Sequence, residues 1–88
     1  MRLVFADQAW EDYLHWQATD ANGRARVNGL IKECMRAPFQ GTGKPEPLRG
    51  ELRGWWSRRM NLEDRLVYRV TGVRAAQQLE IAQCRYRY

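Results

Sequence analysis

The apolar residues of this chain change their spacing once, and that change limits which folds are open to it. Before Pro38 the spacing is helical. Val27, Leu30, Ile31, Cys34 and Met35 fall at i, i+3, i+4, i+7 and i+8, one face of an α-helix. After Gly50 come three strand-like runs, "GWWSRRM", "RLVYRV" and "QLEIAQCRY". Between the two halves lies "PFQGTGKPEPLRG", whose Gly and Pro content marks a loop. An opening "RLVFA" reads as a short first strand. The order is therefore β-α-α-β-β-β, an α+β domain with two N-terminal helices packed on an antiparallel sheet.

Details follow from the same reading. Asp7 is the expected N-cap of the first helix, with Glu11 and Asp12 near its positive end. Trp10, Tyr13 and Leu14 are its expected buried stripe. Thr19 or Asp20 caps the second helix, and Pro38 ends it. Gly23 and Gly29 lie inside this helix at a cost of about 1 kcal/mol each relative to Ala, so packing must hold it. "NLED" and "TGVRAAQ" join the three later runs as hairpins. Eighty-eight residues make one domain, 1–88, with a single modest core.

Charge is distributed unevenly. Residues 1–43 carry five basic and five acidic side chains, whereas residues 44–88 carry ten basic and five acidic. Thirteen of the fifteen cations are Arg, the residue that forks onto phosphate and stacks on rings. The basic half points to a polyanion, most simply nucleic acid; the alternative is a solvated basic face. Cys34 and Cys84 are distant in sequence and His15 is the single histidine, so no zinc spacing is present. The acidic, aromatic turn after five residues does not suit a secretory signal. Both cysteines are expected as reduced thiols in packed positions, and no apolar run approaches the ~18 residues of a membrane span.

"GTGKP" is not a phosphate-binding P-loop, because Pro38 and Pro45 stand where that motif needs Gly and Ser or Thr. Its better reading is a loop delivering Lys44 and Glu46 to a surface. Glu46 sits between two prolines, which stiffen its backbone. On alternating strands Arg53, Trp55, Ser57 and Arg59 share a face, as do Arg65, Val67 and Arg69. A five-residue loop over 60–64 would set Arg59 opposite Arg65. Such a like-charge pair is unfavourable unless an anion sits by it, or unless Glu63, Asp64 or another register relieves it. A carboxylate beside convergent arginines suits metal-free RNA cleavage. That reaction needs a base for the 2′-hydroxyl, cations for the phosphate and an acid for the leaving oxygen.

Together, "WEDYLHWQATD" (10–20), "GTGKPEPL" (41–48), "WSRRMNLEDRLVY" (56–68) and the final "CRYRY" resemble the YoeB-type toxins of the RelE/ParE superfamily over nearly the full length. The resemblance implies a microbial-ribonuclease-like fold and a cytoplasmic toxin that needs no cofactor or metal. It also implies cleavage of mRNA in the ribosomal A site. The implied partners are a YefM-like antitoxin, operator DNA only through the antitoxin complex, and a second copy as a homodimer. The general base would fall on Glu46, and the phosphate contacts on Arg49, Arg59 and Arg65. The terminal aromatic would fall on Tyr88. The family's usual penultimate histidine, its general acid, is replaced by Arg87, which stays protonated at neutral pH and donates protons poorly. Two alternatives stand beside this reading: a catalytically weakened toxin that still binds ribosome and antitoxin, and a gyrase-directed toxin of the ParE kind. His15 is expected on the polar side of the first helix with no catalytic role. Trp55 and Trp56 are expected as packing residues facing opposite ways.

Overall fold

The computed structural model describes residues 1–87. Strand β1 (Arg2–Phe5) leads into helices α1 (Asp7–Thr19) and α2 (Ala21–Arg36), followed by β2 (Glu46–Pro47), β3 (Trp56–Arg59), β4 (Arg65–Thr71) and β5 (Gln78–Gln83). The five strands form one sheet in the order β1-β5-β4-β3-β2. β5-β4-β3 are antiparallel, as expected, and β2 adds antiparallel to β3, but β1 pairs with β5 in parallel, Leu3 beside Leu79 and Phe5 beside Ile81. The sheet is thus mixed. A parallel pair needs a long crossover connection, and everything between β1 and β5, the helices included, supplies it. The expected loop also contains a strand: Glu46 and Pro47 pair with Ser57 and Trp56. Pro47 fits there because β2 is an edge strand, where a missing N–H leaves no ladder partner unpaired.

Helix α2 buries Val27, Leu30, Ile31 and Cys34 against Leu66 and Tyr68 of β4 and Leu79 and Ile81 of β5. Its cap is Asp20, whose Oδ1 accepts from the Gly23 N–H at 3.0 Å. A Cβ on Gly23 would overlap the Trp16 ring, so packing explains this glycine, whereas nothing approaches Gly29. Helix α1 departs from expectation twice. Its N-cap is Ala6, with Asp7 already in the first turn. Its buried face is Ala9, Asp12 and Trp16, while Trp10 and Leu14 are 47% and 42% exposed. The helix is rotated because of what Asp12 and Trp16 bind. Asp12 Oδ2 accepts from the Cys84 N–H at 3.1 Å, and the Trp16 indole N–H donates to the Cys84 carbonyl at 2.7 Å. Two polar contacts to the end of β5 outweigh the apolar stripe, and Trp10 and Tyr13 instead group with Phe5 on the flank.

Cys34 and Cys84 are free and fully buried. Burial, the dominant cause, raises Cys34 to about 11 and Cys84 to about 12. A group held protonated by the fold stabilises fully below its unfolded pKa, and that contribution is lost as pH rises through the folded value. Stability is therefore expected to fall from about pH 8.5, where an unfolded thiol ionises, towards pH 11–12. Urea unfolding across this range checks it. A flat stability between pH 8 and 10.5, or prompt thiol labelling of the native protein at pH 8, would contradict the placement of both thiols.

Candidate nucleic-acid-cleaving face

The β3–β4 hairpin has the expected loop, and Arg59 stands directly opposite Arg65. Neither guanidinium has a carboxylate in ion-pair range among the described residues. The repulsion is relieved by loop carbonyls: Arg65 Nη1 donates to the carbonyls of Asn61 and Asp64 at 2.8 and 3.0 Å. Asn61 shapes the loop by accepting from the N–H groups of Glu63 and Asp64, both at 2.8 Å. Arg26, on α2, grips the carbonyls of Arg59 and Met60. The arginine pair is thus built into a hairpin fixed at both ends.

Glu46 enters from the sheet edge. It faces Ser57 across the β2–β3 pair, and Arg59, two residues further on, shares that face. Diagonal neighbours of this kind lie about 7–8 Å apart, within reach of long side chains. The approach of the chain to β3 depends on Gly43 at φ 87°, whose carbonyl accepts from the Arg59 N–H at 2.7 Å. A Cβ at that position would lie 2.9 Å from the Arg59 carbonyl oxygen, too close for any side chain. Glu46, Pro47, Leu48 and Arg49 line an open cleft of about 470 Å³.

The loop that carries Glu46 is anchored by Arg58, a fully buried cation on the core side of β3. Its Nη2 donates to the carbonyls of Ala37 and Gln40 at 2.6 and 2.8 Å, and its Nη1 to the carbonyl of Thr42 at 3.1 Å. Nη1 also pairs with Glu33 Oε1 at 3.1 Å, and Nε donates to the Tyr68 hydroxyl at 3.2 Å. That hydroxyl donates in turn to the Pro38 carbonyl at 2.6 Å. The N–H of Thr42 on Glu33, with Arg58 adding to it, holds the Glu33 carboxyl below its ordinary range. Burial pushes the Tyr68 phenol up to about 12. Sequence reasoning missed Arg58, although a signal was present: it shares strand parity with Trp56 and Met60 on the core face. A charged residue in that parity implies a buried partner.

The segment after β5 is equally well tied. A β-bulge between Val67 and Tyr68 offsets the β4–β5 register. The Gln83 amide then donates to the carbonyls of Arg85, Tyr86 and Arg87. The Tyr86 N–H donates to Asp64 Oδ1 at 2.7 Å, and its carbonyl accepts from the Arg65 N–H at 3.0 Å. Arg87 Nη2 donates to the Leu62 carbonyl at 2.9 Å. Arg87 lines a second cleft, of about 450 Å³, with Glu63, Asp64, Arg85, Tyr86, Trp16 and His15. The candidate residues therefore spread along one path, Glu46–Arg59–Arg65–Arg87, with Arg49 beside Glu46. They do not fill one cavity. Tyr88 lies outside the described residues. Arg69 is separate, ion-paired with Glu80 at 3.2 Å and stacked 4.3 Å over Trp55. Trp56 turns the other way, against Phe39 and the core.

Two helices on one side of a small mixed sheet, with arginines along its hairpin end, are the architecture of RelE/YoeB-like toxins. A family model described as "YoeB-like toxin of bacterial type II toxin-antitoxin system" matches residues 5–88. The chain is 50% identical to Toxin YoeB of Escherichia coli (strain K12) over the full length of both. It superposes on the YoeB/ParE toxin from Agrobacterium tumefaciens with TM-score 0.96 at 50% identity, again covering both chains completely. A heterotetrameric YoeB-YefM toxin-antitoxin complex from Staphylococcus aureus matches with TM-score 0.87 at 39% identity, over 100% of this chain and 98% of that one. The chain belongs to the YoeB family, and it is a toxin of the type II toxin-antitoxin class. Among the described residues no helix is long and apolar enough to cross a membrane.

Proposed function

We propose that this toxin is a ribosome-dependent mRNA endoribonuclease acting without a metal. Glu46 takes the proton of a ribose 2′-hydroxyl, whose oxygen attacks the adjacent phosphorus. The bond to the 5′-oxygen breaks, leaving a 2′,3′-cyclic phosphate and a 5′-hydroxyl that gains a proton. Arg59 and Arg65 face the phosphate and stabilise its developing charge, Arg49 holds the RNA backbone, and Arg87 and Tyr88 act on the leaving side. The observation that carries this reading is the shared face of Glu46 and the opposed Arg59–Arg65 pair. A YefM-like antitoxin is the proposed partner, by likeness to the Staphylococcus aureus complex. Primer extension on mRNA recovered from a translation reaction, with and without the protein, tests the activity. Absence of new 5′ ends at ribosome-bound codons would overturn it.

One observation favours a slower chemical step than the reaction otherwise allows. The guanidinium of Arg87 is anchored to the Leu62 carbonyl and supplies fixed charge in place of a transferable proton. The leaving oxygen then takes its proton from water. Arg87→His is expected to raise the single-turnover rate on ribosome-bound mRNA by about 10²-fold, the low end for general acid catalysis. A histidine variant no faster than the parent at any pH would show that Arg87 is a competent substitute or does not act on the rate.

A further inference from the structure

The cleft that Arg87 borders contains groups for which the cleavage scheme has no use. Tyr86 is 57% exposed although its backbone sits at φ 65°, a left-handed conformation that non-glycine residues seldom adopt. The fold enforces it from both sides, through Asp64 on the Tyr86 N–H and Arg65 on its carbonyl. The outcome is an aromatic ring held out in a cleft of about 450 Å³. The Arg85 guanidinium lies 4.5 Å from the ring centroid, and no carboxylate is in ion-pair range of it among the described residues. Asp64 is committed, one oxygen to the Tyr86 N–H and the other to the Asn61 amide. The Glu63 carboxylate is the acid left to face a ligand. His15, from α1, closes the far wall beside Trp16.

We propose that this cleft is a nucleotide subsite in which Tyr86 stacks on a base, Arg85 neutralises its phosphate, and Glu63 selects guanine. Resting on the ribonuclease reading, it would hold a nucleotide flanking the scissile phosphate, with Arg87 at the border between the two. An aromatic face with an adjacent guanidinium is the combination on which single-stranded bases stack. Guanine alone among the four bases offers a carboxylate two adjacent donors, N1–H and N2–H.

The single histidine gives one imidazole Hε1 resonance in the wall of the cleft, a direct reporter. Titrating the full chain with 5′-GMP, 5′-UMP and ribose 5-phosphate, followed by that resonance, is the test. Saturable shifts are expected, with 5′-GMP binding about fivefold or more tighter than ribose 5-phosphate, the lower end of what base–aromatic stacking contributes. Tyr86→Asn suits a left-handed backbone and is expected to erase this difference; thermal unfolding verifies that the variant is folded. Glu63→Gln is expected to narrow the preference for 5′-GMP over 5′-UMP. Equal binding of ribose 5-phosphate and 5′-GMP, no shift with any of them, or no effect of Tyr86→Asn overturns the proposal. If mRNA is cleaved but 5′-GMP does not bind, the subsite fails and the nuclease reading stands. Binding by a protein that cleaves nothing leaves the reverse.

Discussion

Glu46→Gln is expected to slow mRNA cleavage by about 10²–10⁴-fold, the usual loss on removing a positioned base, while leaving the fold unchanged. Both halves of the expectation follow from how Glu46 is held. It is exposed on the edge strand. The segment is positioned by backbone contacts, Arg59 N–H to the Gly43 carbonyl at 2.7 Å and Leu48 N–H to the Trp55 carbonyl at 2.9 Å. Among the described residues nothing hydrogen-bonds the carboxylate, so the amide replaces it without orphaning a partner. The loss should therefore appear in single-turnover rate on saturating ribosome-bound mRNA, with affinity and unfolding midpoint unchanged. Parental cleavage by the glutamine variant would remove Glu46 from the mechanism.

Arg58→Met is expected to lower stability by about 3–5 kcal/mol, the range for removing one partner of a buried charge network. That is a large part of the ~5–15 kcal/mol that holds a domain together. The cost comes from what is left behind. The carbonyls of Ala37, Gln40 and Thr42 lose their common donor, and so do Glu33 and the Tyr68 hydroxyl. An unsatisfied buried polar group costs about 1–3 kcal/mol, but Glu33 and the loop can recover some water, so the penalties do not add fully. The loop from 37 to 42 should loosen first, and the Glu46 strand hangs from it. Urea unfolding measures the stability, and amide exchange at Thr42 and Arg59 measures the local release. Tyr68→Phe is the milder comparison, expected to cost about 1 kcal/mol. A methionine variant as stable as the parent, with unchanged exchange, would show that the arginine does not anchor the loop.

Much of the candidate path was legible because it depends on local rules. A two-residue period with a five-residue loop put Arg59 opposite Arg65, and the structure has that register. The helix spacing of Val27 to Cys34 named the buried face of α2 correctly. Other features were misread for physical reasons. Trp10, Tyr13 and Leu14 have the periodicity of a core stripe, yet of the three only Tyr13 packs against the core, because helical spacing reports only that a face exists. Asp12, a carboxylate, lies on the face that is buried, held by the Cys84 N–H. A hydropathy pattern scores such a residue as solvent-facing.

The sequence by itself determined the two helices, the first and the last three strands and their order, the basic character of the second half and the residues proposed for the site. Each depends on side-chain chemistry or on neighbours a few positions apart. Only the tertiary structure decided that β1 joins β5 in parallel, that Glu46 lies on a strand, and that Arg58 is buried while Arg59 beside it is exposed. It also decided that Tyr86 and Arg87 are pinned to the hairpin through Asp64, Arg65 and Leu62. These arrangements join groups 9 to 76 positions apart, and no local preference selects among the alternatives. They are settled when the core closes and each buried polar group must find a partner from a distant part of the chain.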